Sequence, residues 1–579
     1  MNDQPFSTTQ QEYLKGFMAG VEAKRGPLTG RRREPADPAD LQRAAQDRVI
    51  AEGGKLVPEE EAKRKKHPLD RFGEISTLAA EGRFPKGTGV FLTKFHGLFF
   101  VAPAQNSFMC RLRMPGGILN SLQFHGVADL AAELGGGYAD ITTRANLQVR
   151  EIGASAAPEV LTRLADLGLT SRGAGADNVR NVTGSPTAGI DRQELLDTRS
   201  DARRIHHHIL NHRELFGLPR KFNIAFDGSG SVPVLEDTND VAFTAVPVAA
   251  GHGVEPGVHY RLALGGITGH KDFARGTGVI VTPADTTPVC DAILRVFIAS
   301  GDRTNRSKAR LKYVLDAWGF DRFLAAVEAE LGRPLTRVPD AALLPTPPQS
   351  RSAHVGIHPQ KQPGLSYVGV VVPVGRVTAE RMRGLADIAD RFGSGTIRLT
   401  VWQNLLISDI PDERVPAALA AIEALGLGHA AGPLRAGLVA CTGSGGCKFA
   451  ASDTKGHAAS LVDWLEQRIT LDSPVNIHLT GCHHSCAQHY IADIGLLGAK
   501  VERGDELVEG YDLHVGGGAG ANQAIGRLIR PGVAADELPP VVLSLLRSSM
   551  AERTAGQGFQ AWSAAQPDAT LAEIAGAAA

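Results

Sequence analysis

Residues 115–152 read PGGILNSLQFHGVADLAAELGGGYADITTRANLQVREI, and residues 373–410 read PVGRVTAERMRGLADIADRFGSGTIRLTVWQNLLISDI. Aligned without a gap at a constant offset of 258 residues, the two stretches share Pro115/Pro373, Gly117/Gly375, Ala128/Ala386, Asp129/Asp387, Ala131/Ala389, Gly137/Gly395, Thr142/Thr400, Asn146/Asn404, Leu147/Leu405 and Ile152/Ile410. Each copy reads as an apolar strand (108–114; 367–372), a helix opened by a polar cap (Asn120; Thr378), and two short strands around the shared Asn-Leu. That is a small α+β unit, present twice.

The correspondence continues downstream with drifting offsets, as loops that changed length after a duplication would give. Thr183-Gly184-Ser185 answers Thr442-Gly443-Ser444, Asn223-Ile224 and Gly228 answer Asn476-Ile477 and Gly481, and Asp240 answers Asp493. The stretch Tyr260–Gly269 answers Tyr511–Gly520. Chance similarity of glycine-rich strands accounts for one such block but not five in the same order. Each half is thus a small α+β unit followed by a larger one, and the halves are expected to pack about a pseudo-two-fold axis.

Between the halves lie Pro334, Pro339, Pro345, Pro347 and Pro348. Each removes a backbone donor and disfavours helix, so 334–352 reads as an extended linker. The organisation expected is an N-terminal extension (1–75), a small and a large unit (90–170; 171–333), the linker, a second small and large unit (353–430; 431–560), and an Ala-rich tail (561–579). In the extension, Thr9-Gln10-Gln11-Glu12 fits a capping box before Leu14, Phe17, Met18 and Val21 at helical spacing. The mixed-charge run from Glu59 to Arg71 reads as a solvated helix or linker without function.

Composition excludes several classes of function. The 61 basic and 62 acidic side chains of the 579 residues cancel to −1, so no global field draws the chain to nucleic acid or a membrane surface. No window approaches the ~18 uninterrupted apolar residues of a spanning helix. Arg31-Arg32-Arg33 is followed by Glu34-Pro35-Ala36-Asp37 rather than an apolar stretch, so it does not read as an export signal. The chain is expected to be cytoplasmic.

Four of the six cysteines fall within 46 residues: Cys441 and Cys447 in a glycine-rich loop, Cys482 and Cys486 in Thr-Gly-Cys-His-His-Ser-Cys. Four thiolates from two loops suit zinc or an iron–sulfur cluster. A five-residue gap is wide for a zinc knuckle and favours the cluster, with unligated core cysteines a third reading. Cys110 and Cys290 are isolated and read as buried small hydrophobes. The first-half counterparts of the cysteine loops hold cations instead: Arg180 in Asn-Val-Arg-Asn, and Arg220-Lys221 in Leu-Pro-Arg-Lys-Phe-Asn. Across a pseudo-two-fold axis these loops would face the cysteines, with Arg111, Arg113 and Arg144 adding charge from the neighbouring unit. Such a cavity suits a polyanionic cofactor, a small anionic substrate, or both. His206-His207-His208 with His212 could bind metal through one helix face, but a solvated helix is the simpler reading. No G-x-G-x-x-G opens a helix after a strand, so no dinucleotide site is expected, and Gly516-Gly517-Gly518 reads as a structural turn shared with Gly265-Gly266.

The Cys-x5-Cys and Cys-x3-Cys pair, Met-Cys-Arg-Leu-Arg-Met-Pro-Gly-Gly, Thr-Thr-Arg-Ala-Asn-Leu-Gln, Asp-Asn-Val-Arg-Asn and Leu-Pro-Arg-Lys-Phe-Asn together resemble the sirohaem-dependent nitrite and sulfite reductases, over residues ~90–560 and in that family's order. The resemblance implies an internally duplicated α+β fold, each half a small ferredoxin-like unit plus a larger sirohaem-fold unit. It implies one [4Fe–4S] cluster on Cys441, Cys447, Cys482 and Cys486, with Cys486 also the axial ligand of the sirohaem iron. It places Arg111, Arg180, Lys221 and Asn223 on the face where substrate binds, and Arg113, Arg144 and Arg220 around the sirohaem carboxylates. His483 and His484, between cluster ligands, would tune the cluster without ligating it.

Within the family, sulfite reductases tend to carry a second lysine where this chain has Asn223, and often a cysteine before the arginine equivalent to Arg180. Nitrite carries one negative charge and sulfite close to two near neutral pH, so fewer cations suit nitrite. The expectation is six-electron reduction of nitrite to ammonium by a monomeric chain, with ferredoxin as electron donor. The alternatives are sulfite reduction with the same cofactors, a precorrin-3B synthase-like enzyme, and a four-cysteine zinc scaffold. Ala145 departs from the family's usual Gln, which puts one sirohaem contact in doubt.

Overall fold

The computed structural model describes residues 38–576 except 431 and 433. The amphipathic stretch expected around Thr9–Val21 lies outside the described residues. Each small unit begins with an antiparallel strand pair (Leu98–Val101 with Ser107–Arg111; Gly356–Pro359 with Leu365–Val370), turns through Pro-x-Gly, and opens a helix (Ser121–Leu134; Ala379–Phe392) at the polar caps read from the sequence. Asn120 accepts from the Gln123 N–H while Gln123 returns the bond to the Asn120 N–H, and Thr378 accepts from the Arg381 N–H. These bonds satisfy helix-start donors that would otherwise stay unpaired. Gly117 and Gly375 both sit at φ +71°, where a side chain would strain the turn.

The small sheets are completed by exchange. Ile118–Asn120 of the first half leaves its own unit and pairs antiparallel with Thr396–Leu399 of the second; Arg376–Thr378 returns the pairing on Tyr138–Ile141. The registers are equivalent: Ile118 opposes Arg398, and Arg376 opposes Asp140. Each sheet therefore has five strands, four from one half and one from the other. The two helices pack against each other, and both units share one apolar core containing Phe124, Leu130, Val368 and Leu385. Gly126 and Gly384 let these helices approach Leu167 and Leu425: a Cβ would lie 2.3 Å and 2.5 Å from the respective leucine methyls.

The larger units are mixed sheets with separate cores. The first runs Ile224–Asp227, Val241–Val248, Gly257–Leu264, Arg275–Val281, parallel then antiparallel. The second runs Leu438–Ala440, Ile477–Thr480, Ile494–Arg503, Glu506–Val515, Arg527–Ala534 with the same sense. In the first half, single parallel bridges Val179–Phe222 and Thr183–Ala225 stand where the second has its first strand. The linker carries one short turn, Asp340–Ala342, and touches the first large sheet through bridges Arg337–Val279 and Leu343–Val248. The C-terminal stretch is helical (Phe559–Ala565; Asp568–Gly576) and buries Trp562, Leu571 and Ala575 in the core of the second large unit.

One expectation is overturned in the extension. The charged run 59–71 is not wholly solvated: Glu60 and Lys63 on the helix Pro58–Lys65 are buried. Lys63 pairs with Glu60 and Asp177 and donates to the carbonyls of Gly217 (3.2 Å) and Leu218 (2.9 Å). Arg303 meets Glu60 at 2.6 Å, and Arg306 meets Asp177 through two bonds of 2.8 Å. This network holds the loops that lead into Arg180 and into Arg220-Lys221. Without Lys63, Glu60 keeps Arg303 and Asp177 keeps Arg306, but the buried Gly217 and Leu218 carbonyls lose their donor, a desolvation cost of about 1–3 kcal/mol. Lys63→Met is therefore expected to lower unfolding stability in urea by about that amount, whereas Lys65→Met on the exposed face should change it by less than about 0.5 kcal/mol; equal effects would contradict the network.

Candidate functional site

The cysteine loops are held by side chains from the small units. Arg150, buried on the strand Leu147–Ile152, bonds Thr442 Oγ1 and the Gly446 carbonyl and pairs with Asp140 at 2.7 Å. Gln403 bonds the Ala440 backbone through both ends of its amide at 2.9 Å, one residue before Cys441. In the first half the equivalent position is Ala145, so only the second copy has this brace. Thr143 Oγ1 donates to the Cys486 carbonyl at 3.0 Å. Gly481 lies so close to Ala450 that a Cβ would come within 2.6 Å of its methyl, which brings the two loops together.

The four thiols share one electrostatic neighbourhood. Burial pushes the Cys482 thiol up to about 12, with Cys486, Cys447 and Cys441 adding to the shift. Burial also raises Cys486, and Cys441 and Cys447 act in the same direction while Lys221 and Arg111 oppose them. The Cys441 sulfur accepts from the Gly481 N–H at 3.2 Å, and His484 Nδ1 lies 3.3 Å from the Cys482 sulfur. Among the described residues no three His, Cys, Asp or Glu side chains close into the compact group that one metal ion takes. A zinc tetrahedron draws its sulfurs to within about 4 Å of one another; a four-iron cluster takes a separate iron per thiolate and holds them wider.

Opposite the cysteines stand cations of the first half. Arg111, Arg144, Lys221 and Cys486 lie deep inside the protein yet keep accessible surface, so they line an internal chamber. Arg180 is buried beside them and anchored on the carbonyls of Ala174 and Ala176 at 2.7 Å each. None of these four cations has an ion pair with a carboxylate among the described residues. Arg180 Nε and Asn223 Oδ1 are buried without a partner. Burial lowers Arg111 and Arg144 to about 10, which leaves them charged near neutrality. Lys221 is driven well below the usual lysine range by burial and by Arg310, Arg144 and Arg180. Unpaired buried charge of one sign is costly, so the chamber calls for an anionic occupant. Four thiols with four unpaired cations fit both an iron–sulfur cluster and a carboxylate-bearing cofactor.

Asn223 is fixed through its backbone. Its N–H donates to Asp240 at 2.8 Å, and Asp240 is clasped by Arg310 through bonds of 3.1 Å and 2.6 Å. The second half repeats the device: the Asn476 N–H donates to Asp493 at 2.7 Å, and Asp493 meets Arg351 at 2.6 Å. The turns Gly265-Gly266 and Gly516-Gly517 close on these aspartate loops with matching 2.9 Å bonds, as a shared structural element.

Other residues fall elsewhere. Arg113 does not join the cations around Cys486: it is buried past the end of its strand, with Nη1 2.7 Å from the Val179 carbonyl. Arg220 turns toward Asp177, 3.8 Å away, and the Arg306 carbonyl, and remains partly exposed. His206 is buried rather than solvated, and His208 stacks on His212 and meets Asp291 at 2.9 Å, a packing arrangement. Lys94 was missed by sequence reasoning. It lies deep beside Arg180 and Arg111, approaches the Phe99 ring as Arg111 does, and is lowered to about 8 by burial and those neighbours. No motif surrounds it, and only the fold brings it to the chamber.

The comparisons agree with this geometry. A model described as the nitrite and sulphite reductase 4Fe-4S domain matches residues 175–335 and 432–550, and one described as the nitrite/sulfite reductase ferredoxin-like half domain matches 102–167 and 358–425. The chain is 39% identical over 485 residues to a ferredoxin–nitrite reductase of Synechococcus elongatus, covering 82% of this chain and 93% of that protein. It is 41% identical over 462 residues to a ferredoxin–nitrite reductase of Leptolyngbya laminosa, covering 78% and 88%. The solved structure of the Mycobacterium tuberculosis NirA protein superposes with a TM-score of 0.82 at 31% identity, covering 90% of this chain and 99% of that one. On its duplicated fold, its four-thiol loops and these matches over most of its length, the chain belongs to the nitrite and sulfite reductase family.

Proposed function

We propose that this protein reduces nitrite to ammonium with six electrons taken from ferredoxin, at a sirohaem coupled to a [4Fe–4S] cluster. The observation that carries the reading is the chamber, in which the thiols of one half face unpaired cations of the other. When bound, the sirohaem and cluster supply electrons one at a time to a substrate held at the haem iron. Cys441, Cys447, Cys482 and Cys486 would hold the cluster, with Cys486 shared by the sirohaem. Arg144 has the charge and depth to meet a sirohaem carboxylate. Arg113 and Arg220 point elsewhere and are left out of this role.

Arg111, Arg180, Lys221 and Asn223 would surround the substrate. Nitrite must lose both oxygens as water, taking up eight protons with the six electrons to give ammonium, so proton donors must stand within hydrogen-bond reach. Lys221 suits proton donation because burial, and after it the neighbouring arginines, make it a better acid than an exposed lysine. The arginines stay protonated and orient the anion. Asn223 brings an unpartnered amide oxygen and no charge, which supports the monoanion nitrite over sulfite. Six cysteines with no disulfide fit a reducing compartment such as the cytoplasm.

Two results are expected. Lys221→Met should lower ferredoxin-dependent kcat with nitrite by about 10²–10⁴ while leaving the sirohaem absorption in place; Asn223→Lys should raise the sulfite-to-nitrite ratio of kcat/KM about tenfold or more. Far faster turnover of sulfite than nitrite by the unmodified holoenzyme would overturn the substrate assignment. Separately, Ser in place of Cys441, Cys447 or Cys482 should abolish cluster iron in a purified sample, whereas Cys110→Ser and Cys290→Ser should leave iron per chain unchanged.

A further inference from the structure

The pseudo-two-fold axis gives one pair of equivalent positions opposite chemistry. Asp140 and Arg398 each stand where their sheet receives the other half's exchanged strand. Asp140 is buried and enclosed by Arg150, Arg376 and Lys455, so its charge is met within the chain. Arg398 is buried as deeply but has no ion pair among the described residues. It donates instead to Ser408 Oγ at 3.1 Å and to the carbonyls of Pro186 (3.1 Å) and Ala188 (2.7 Å). The nearby Asp409 carboxylate, which lines the same cavity as Arg398, accepts from Gln360, Ser394 and Ser408 and offsets part of the Arg398 charge from a distance, without an ion pair.

Arg398 lines a cavity of about 500 Å³ between the halves, bounded by the exchanged strand Ile118–Asn120 and by the helix Arg199–Asn211. Arg113 lines the same cavity and is buried with Nε and Nη2 unpartnered. His206 lies next to Arg113 with Nδ1 unpartnered. Arg203, exposed at the cavity, makes no hydrogen bond or ion pair among the described residues. Arg199 is the one arginine of the four with a carboxylate, Asp197, at 2.6 Å. Buried donors without partners carry a full desolvation penalty, and guanidinium groups recover it best from planar or tetrahedral oxyanions that accept paired N–H bonds. The volume is that of a small-molecule site rather than of a single ion.

We infer that this cleft is a second anion site, distinct from the cysteine chamber, that takes a small organic polyanion with two or more phosphate or carboxylate groups. Its ligand spans the halves, meeting the unpartnered donors of Arg113 and the free guanidinium of Arg203 and adding at Arg398 the direct ion pair that Asp140 finds within the chain on the other side. The inference rests on the cleft alone and does not depend on which anion the chamber reduces.

Titration calorimetry on the full-length holoenzyme at low salt tests it, with pyrophosphate and citrate as separate probes. Saturable binding of at least one probe is expected, with Kd below about 1 mM, weakened about tenfold or more by the surface charge reversal Arg203→Glu, and unchanged by saturating nitrite. Donor-dependent nitrite turnover should be the same in Arg203→Glu as in the unmodified protein. Preference for pyrophosphate assigns the site to phosphates, and preference for citrate to carboxylates. Absence of saturable binding by both probes, binding that Arg203→Glu leaves intact, or displacement of the probe by nitrite would each overturn the second site.

Discussion

Three residues passed from each half to the other decide how this molecule is put together. Ile118–Asn120 and Arg376–Thr378 complete sheets that are not their own, and their matched registers allow only one relative placement of the halves. Because a one-residue slip would turn every side chain to the opposite face, the exchange sets orientation as well as proximity. The shared core of the small units then makes the pair of halves one cooperative body. The loops that follow each small sheet are brought into a common chamber, and their chemistry becomes complementary without any direct link in sequence.

Within that frame the two copies have diverged by charge. The second retains four thiols on loops braced by Gln403, Arg150 and Thr143. The first has cations at the equivalent loops, and among the described residues Arg111, Arg144, Arg180 and Lys221 have none of the carboxylate partners that a free-standing domain would need. What both copies keep is scaffolding: Asn223 with Asp240 and Arg310 on one side, Asn476 with Asp493 and Arg351 on the other. Duplication therefore supplied two equal supports, and function resides in the residues that differ between them. The buried ions around Lys63 extend the same logic to the N-terminal segment, which stiffens the backbone behind Arg180 and Lys221 without reaching the chamber.

Much of this was legible in the chain itself. The gap-free repeat gave the small units with their caps at Asn120 and Thr378, and the spacing of the four cysteines pointed to a cluster. Strand exchange was not legible, because an apolar pattern reports that a strand is buried and not which half it pairs with. Direction was also lost where regular structure ends. Arg111 and Arg113 have the same parity, but Arg113 lies past the last strand residue, bridged to Thr170, and its guanidinium is held by the Val179 carbonyl instead of joining the chamber. Arg220 is drawn aside by Asp177, a partner distant in sequence. The run 59–71 looked solvated because its charges outnumber its apolar residues, yet Glu60 and Lys63 are neutralised by Asp177 and Arg303, contributed by other elements. Lys94 carries no sequence signal at all, since its neighbours near the chamber come from four separate segments.

The central claim is that one half holds iron while its twin presents cations to the same enclosed space. Iron anomalous scattering from crystals of the purified holoprotein tests it most directly. The account predicts iron density within the quartet of Cys441, Cys447, Cys482 and Cys486, with a further iron beyond Cys486 on the side facing Arg144, Arg180 and Lys221. Iron bound away from that quartet, or a quartet whose far side opens to solvent with those cations turned outward, would contradict it.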